Sequence, residues 1–264
     1  MQEMSVFWLR AAAALYAIGL FHTIQVVIRK GHSFFRAALA AFCVGAVLHL
    51  VAIVEASKAA THFPPSGFHN SISLCALLIA VLFLFLYHKY RFESLGVFLF
   101  PLVFVMTAVS SVRSPMGPWV DPVARNTLLV VHILLVLLGY AALIFTALAS
   151  VLYLIQERHL KRKKPMALLE KLPPLGTLDG IISKSMGFGF VFLTIGVVTG
   201  VIFIEPGGSW TDPRLTTALV TWVFCLVMVF LRISAGWRGR KAAVLAVAVV
   251  ACSAATWAVH YVRL

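Results

Sequence analysis

The sequence predicts an all-α fold, a polytopic bundle of helices that lies in a membrane. Of the 264 residues, 61% are hydrophobic and only 12% are charged, so a water-soluble globule would lack the polar residues that its surface needs. The apolar runs are about 20 residues long, as in membrane-spanning helices, rather than about ten and alternating, as in a barrel. Helices also satisfy the rule that backbone groups in hydrocarbon must find partners within the segment.

Polar breaks divide the apolar sequence into eight predicted spans. They cover residues 7–28, 36–56, 68–88, 94–112, 127–155, 183–204, 214–233 and 241–262. An even number of spans places both termini on one side of the membrane. The long connector after the fifth span divides the chain into two four-span halves, residues 1–126 and 127–264. The first residues are not basic, so we expect the first span to be retained rather than removed as a signal peptide.

The distribution of lysine and arginine predicts the orientation of the bundle. Alternate loops on one side carry 16 of the 22 basic residues, and those on the other side carry 6. The positive-inside rule makes the richer side cytoplasmic, so both termini are expected outside, facing the periplasm of a bacterial inner membrane. Topology thus accounts for the net charge of +13. The expected partner is the lipid bilayer, and no nucleic acid is expected.

Two further features of the spans bear on function and on helix packing. Ionisable side chains are nearly absent from the middle of the spans, which argues against an ion-coupled transporter. The glycines of span six, Gly189, Gly196 and Gly200, fall on one helix face, so a neighbouring backbone can approach closely there.

Histidine is the side chain left to support chemistry within the bundle. A neutral imidazole carries one nitrogen lone pair that can coordinate iron, and two histidines on different helices can hold a haem from both faces. His69, His132 and His260 lie near the predicted outer ends of spans three, five and eight. Taken singly, each is equally compatible with an ordinary helix-end histidine bonded to water or to a carbonyl group.

The outer loop before span seven, EPGGSWTDPR, contains what a flat porphyrin would need. Gly207 and Gly208 allow close approach of the backbone, Trp210 offers a stacking face, and Arg214 can pair with a propionate. Arg125, in another outer loop, extends the same surface. Tryptophans at a membrane surface are also ordinary anchors, so both interpretations stay open at this point.

Four stretches of the sequence resemble the cytochrome c assembly family of the CcsA and HemX type, whose hallmark is a tryptophan-rich outer loop ending in Trp-Asp-Pro. By position, His132 matches the first outer histidine of that family, and further matches are Trp210, Asp212, Pro213 and Trp222. The stretches are VHILLVLLGYAALIFTALASVLYLIQERHLKRKK, LPPLGTLDGIISKSMGFGFVFLTIGVVTG, WTDPRLTTALVTW and LRISAGWRGRKAA. The resemblance implies an eight-span bundle that presents haem at its outer face, with outer histidines as iron ligands.

The sequence departs from the family pattern in its loop, in span seven and at its end. Thr211 and Leu215 replace a tryptophan and an acidic residue of the loop, and Phe230 occupies the position of a histidine present in many members. The family's second outer histidine normally follows the last span. Here the sequence stops at Leu264, so His260 is expected to serve instead. These departures suggest a divergent, HemX-like member.

Three functions are compatible with these features. The first is a haem-handling membrane protein that supports c-type cytochrome biogenesis, an accessory protein rather than an enzyme. It would bind b-type haem non-covalently through His132 and His260, or through His69, and would work with other maturation membrane proteins and apocytochrome c. The second is a HemX-like regulatory or scaffolding protein of haem biosynthesis without tight haem binding. The third is a transporter of haem or a small solute.

Overall fold

The protein is a bundle of α-helices, as predicted. The computed structural model describes residues 2–29, 32–60, 68–91, 93–112, 127–162, 173–202 and 213–262. Within these ranges there are eight α-helices and no strand. They are α1 (Gln2–Arg29), α2 (His32–Ala60), α3 (Phe68–Tyr90), α4 (Glu93–Ser111), α5 (Thr127–Arg162), α6 (Leu175–Ile202), α7 (Pro213–Ser234) and α8 (Arg240–Val262).

Six of these helices, α1 to α3 and α5 to α7, are long and apolar enough to cross a membrane. Helix α4 has a shorter apolar stretch, Leu95–Ser111. The chain is therefore a multi-pass membrane protein. The number of eight membrane spans and the side of the membrane on which the termini lie stay predictions.

Helices α5 and α6 extend beyond the predicted spans. Helix α5 continues to Arg162 rather than ending at 155, and α6 begins at Leu175 rather than at 183. The end of α5 is polar but consists of good helix formers, and an ion pair of 2.7 Å joins Lys161 to Glu157 one turn earlier. The length of an apolar run predicts only the part of a helix that lies in lipid. A helix can continue into water beyond that run, as α5 and α6 do.

The helices divide into two compact units. The first unit contains α1 to α4, and the second contains α5 from Val131 onward together with α6, α7 and α8. In the first unit, α1 packs on α2 and α4, and α3 packs on α4 and α2. Its core is aromatic: the rings of Phe42 and Phe100 stack with centroids 4.2 Å apart, and the Phe83 ring lies edge-on to both.

In the second unit, α5, α6, α7 and α8 share one core, which includes Leu143, Leu193, Cys225 and Ala246. The contact of α6 with α5 is unusually close because glycines stand on both sides. A Cβ at Gly196 would lie 2.7 Å from Val136 Cγ2, and one at Gly139 would lie 2.7 Å from Leu193 Cγ. A Cβ at Gly189 would lie 3.3 Å from the backbone oxygen of Gly139. The predicted close approach along the glycine face of α6 is therefore confirmed.

One carboxylate joins three helices at one end of this unit. Asp179, in the first turns of α6, accepts a 2.8 Å bond from Nη2 of Arg232 near the end of α7. Its other oxygen accepts a 3.0 Å bond from the backbone N–H of Gly239, which precedes α8. In the turn between Arg232 and Gly239, Gly236 adopts a φ of 63°. The Trp237 N–H donates to the carbonyl of Leu231, as in a Schellman C-cap. This arrangement fixes which helix ends lie together.

Candidate functional site

His132 lies near the start of α5 and contacts the last turns of α6. Its side chain is half-buried, and Nδ1 of its ring lies 2.9 Å from the hydroxyl oxygen of Thr199. The two residues are 67 positions apart in the chain. Only the packing of α5 against α6 brings them together, at the end of the second unit opposite Asp179.

The hydrogen bonds of Thr199 determine the role of each nitrogen in the His132 ring. The threonine hydroxyl has one proton, which it donates to the backbone carbonyl of Ile195 at 2.8 Å. The same oxygen therefore accepts a hydrogen bond from Nδ1–H of His132. A neutral imidazole protonated at Nδ1 carries its lone pair on Nε2, and such a hydrogen bond fixes the tautomer and ring orientation of a metal-binding histidine.

Gly200 leaves room for the imidazole ring. A Cβ at this position would lie 3.0 Å from Cε1 of His132, closer than carbon atoms pack in ordinary contact. The glycine stripe of α6 therefore has two effects. Gly189 and Gly196 bring the helices together, and Gly200 makes space for a side chain that the close approach would otherwise displace.

His132 and His260 lie at equal helical distances from one contact between α5 and the start of α8. Tyr153 of α5 lies against Gly239, since a Cβ there would be 2.8 Å from its hydroxyl oxygen. His132 precedes Tyr153 by 21 residues, and His260 follows Gly239 by 21 residues. At about 1.5 Å per residue, both lie roughly 31 Å from this contact along their helices. The His260 side chain lies outside the described part of the chain.

Trp222 is positioned within the second unit rather than at its end. Its indole N–H donates a 2.9 Å bond to Oγ1 of Thr194, and its ring stacks on Phe190 with centroids 6.1 Å apart. Thr194 and Thr199 are five residues apart on α6, so these contacts lie about 7.5 Å below His132 along the helix and on a face roughly 140° away. The part played by Trp222 in a haem-facing surface stays a prediction.

The other predicted site residues are described only in part. His69 lies in the first unit, at the start of α3, where its backbone oxygen accepts a 2.7 Å bond from the hydroxyl group of Ser110 in α4. Arg214 is the second residue of α7, and its side chain lies outside the described residues, as do Arg125, Trp210 and Asp212 in full. Their convergence on His132 stays a prediction.

Phe230 replaces a histidine of the family pattern at a position remote from His132. It lies two residues before Arg232, near the end of α7 where Arg232 binds Asp179. Its side chain is 61% exposed. A histidine here would have pointed away from the helices of this unit. Its absence therefore leaves the surroundings of His132 unchanged.

A second histidine forms a polar cluster that the sequence analysis did not single out. His49 of α2 is fully buried in the first unit. Its Nε2 lies 2.8 Å from the hydroxyl oxygen of Ser73 in α3, and its Nδ1 lies 3.4 Å from that of Tyr16 in α1. The available signal was a histidine in the middle of an apolar span, where an ionisable group marks a functional or structural site.

Comparison with known proteins agrees with this architecture. The family described as cytochrome C assembly protein matches residues 33–261. Two relatives named cytochrome c biogenesis protein CcsA are similar. The protein of Chlamydomonas reinhardtii is 29% identical over 211 residues, which cover 76% of this chain and 58% of that protein. The protein of Prochlorococcus marinus (strain MIT 9312) is 28% identical over 249 residues, which cover 82% of this chain and 78% of that protein.

The fold is also that of a solved structure. The cytochrome c haem lyase CcmF superposes on this chain with a TM-score of 0.67 and 17% sequence identity. The match covers 97% of this chain and 46% of the lyase, so the chain spans about half of that protein. The extent of the family match, 229 of 264 residues, confirms the resemblance seen in the sequence: this chain belongs to the cytochrome c assembly protein family.

Proposed function

We propose that this chain is a haem-handling membrane protein of c-type cytochrome biogenesis, and that it binds one b-type haem non-covalently beside His132. Family membership and the names of the CcsA relatives support the process. The observation that carries the site is the orientation of His132. Its Nδ1–H donates to Thr199, so the lone pair of the neutral ring is on Nε2, the nitrogen that would coordinate iron in this proposal.

The second axial ligand in this proposal is His260. Two imidazoles can clamp a haem only if they approach it from opposite faces at one depth. The equal helical distances of His132 and His260 from the contact between Tyr153 and Gly239 support that requirement. His69 is the alternative ligand, and the two variants His260→Ala and His69→Ala distinguish them.

The haem propionates would meet the start of α7. Pro213 and Arg214 open this helix, and the positive end of its dipole adds to the arginine charge. Trp210 and Asp212 precede the helix directly, Arg125 precedes α5, and Trp222 would support the pocket from below. In this arrangement the residues bind and orient the porphyrin, while its vinyl groups supply the carbons to which apocytochrome cysteine thiols are joined.

The site is proposed to face the periplasm of a bacterial inner membrane. The excess of lysine and arginine in the alternate loops supports this orientation. A haem held there would be accessible to apocytochrome c and to other maturation membrane proteins. The chain would then act as an accessory subunit of the attachment system, with its work limited to holding haem in one orientation.

The absorption spectrum of the purified protein tests the proposal. The full chain is purified in mild detergent, titrated with haem, and compared with His132→Ala and Thr199→Val. His22→Ala is the control. His22 lies in the other unit, and among the described residues its ring bonds to its own helix, at the carbonyl of Ile18. Imidazole is then added to each variant.

We expect a Soret band in the wild-type protein and in the control. His132→Ala should lose the band and regain it with imidazole. Thr199→Val should retain a weaker, shifted band, and Thr199→Ser should restore it. A protein that stays colourless with haem would overturn the proposal and support the regulatory alternative. A His132→Ala variant with the wild-type spectrum would refute His132 as the iron ligand.

A further inference from the structure

The turn between α7 and α8 carries a surplus of positive charge, which the proposed haem site does not use. Five basic side chains and two acidic ones lie in this turn or form ion pairs with its residues. The basic residues are Lys161, Arg232, Arg238, Arg240 and Lys241, and the acidic residues are Glu157 and Asp179. The cluster therefore has a net charge of +3.

Both carboxylates of the cluster already have basic partners. Asp179 binds Arg232 and the backbone of Gly239. Glu157 lies 2.7 Å from the ammonium group of Lys161 and 3.9 Å from the guanidinium of Arg240. The remaining positive charge is thus without an internal counterion among the described residues, and an external anion would lower its self-repulsion.

Two kinds of hydrogen-bond donor accompany this charge. The Arg232 side chain is 10% exposed, and its Nη1 has no hydrogen-bond partner among the described residues, although a buried donor normally has one. The first backbone bond of α8 runs from Ala243 N–H to Gly239, so the amides of residues 240–242 have no acceptor within their own helix. Such amides at a helix start favour phosphate groups.

The surface beside the cluster is apolar. Ile233 and Phe230, in the last turns of α7, are 78% and 61% exposed. On the other side, the ammonium group of Lys241 lies 5.8 Å from the centre of the Trp237 ring, a combination of aromatic and basic groups typical of a membrane surface. A free phosphate ion would use the charges alone. A phospholipid would use the charges for its headgroup and the apolar turns for its acyl chains.

We infer that the α7–α8 turn is a binding site for the phosphate group of an anionic phospholipid. Asp179 and Arg232 hold the turn in shape, and the exposed side chains of Arg238, Arg240 and Lys241 contact the headgroup. Basic pockets between helix ends bind anionic headgroups in this way. The inference is independent of haem binding.

Native mass spectrometry of the full chain tests this inference. The protein is released from nanodiscs of phosphatidylcholine and phosphatidylglycerol, and the lipids that stay bound are counted. The test variant is Arg238→Gln with Lys241→Gln, both at exposed positions. The matched control is Arg36→Gln with Lys89→Gln, which removes the same charge at exposed positions on the same predicted side of the membrane. A separate arm adds excess inorganic phosphate.

The wild-type protein and the control are expected to retain phosphatidylglycerol in preference to phosphatidylcholine. In the test variant the preference should fall about 30-fold, since each basic residue near a headgroup contributes roughly a factor of five. Inorganic phosphate should not displace the lipid. Equal losses in the two variants would refute a specific site, as would equal retention of both lipids. Displacement by phosphate would assign the site to the free ion.

Discussion

Replacing Gly200 by alanine tests whether the contact between α5 and α6 sets the orientation of His132. The new Cβ would lie 3.0 Å from Cε1 of the ring, whereas carbon atoms in ordinary contact are about 3.5 Å apart or more, so the ring must move by roughly 0.5 Å. This movement stretches the 2.9 Å bond to Thr199 to about 3.4 Å, where most of its strength is lost.

The expected cost follows from the value of that bond. A hydrogen bond between membrane helices contributes about 1 kcal/mol, and losing it should weaken haem binding about fivefold. Gly187→Ala is the matched control. It is the same substitution on the same helix, and its Cβ would meet nothing within 4 Å, so any gain in helix propensity is common to both variants.

The measurement is a haem titration of each apoprotein, followed by the Soret absorbance. If Gly200→Ala and Gly187→Ala bind haem equally well while His132→Ala does not, the orientation of the ring has no influence on affinity. The role proposed for the α5–α6 contact would then be wrong, although His132 would stay a ligand.

Three further comparisons test the packing of the two units. Asp179→Ala leaves a largely buried guanidinium without its carboxylate and should lower the free energy of unfolding by about 3 kcal/mol, measured by thermal unfolding in detergent. Glu157→Gln should cost under about 1 kcal/mol, because both ion-pair partners of Glu157 are more than 60% exposed. Equal losses of stability in Asp179→Ala and Glu157→Gln would contradict this difference between a buried and an exposed ion pair. A double-mutant cycle of His49→Phe and Ser73→Ala should give a coupling of about 1 kcal/mol, and strict additivity would show that their 2.8 Å contact is unimportant. Trp222→Phe removes one interhelical donor and should reduce stability by about 1 kcal/mol while most haem is retained; loss of haem equal to that in His132→Ala would make this tryptophan a primary contact.

The extent of each span was predictable, but the extent of each helix was not. Hydropathy located the ends of α3 and α4 within a few residues. Polar residues extend α1 and α2 beyond their predicted spans. Hydropathy missed the last turns of α5 and the first turns of α6, because mixed polar sequence such as LGTLDGII is helical there without being uniformly apolar. These missed turns contain Asp179, the carboxylate that joins three helices.

The candidate site was predictable only as a set of residue types. The resemblance to the family identified His132, and the glycine pattern of α6 predicted close packing. Neither indicated that Thr199 and Gly200 contact the imidazole. The polar cluster around His49 was also missed, since hydropathy treats one histidine in an apolar span as a small interruption and carries no information about the hydroxyl groups on neighbouring helices.

The sequence by itself determined that this protein is helical, membrane-embedded and a member of the cytochrome c assembly family, because those properties depend on composition and on the order of residues along the chain. Only the tertiary structure decided which ring nitrogen of His132 meets Thr199 and which carboxylate binds the backbone of Gly239 before α8. In lipid, helices that are apolar on all sides carry little amphipathic signal for how they rotate against one another. Glycine contacts and interhelical hydrogen bonds fix that rotation, and they exist only once the helices are packed.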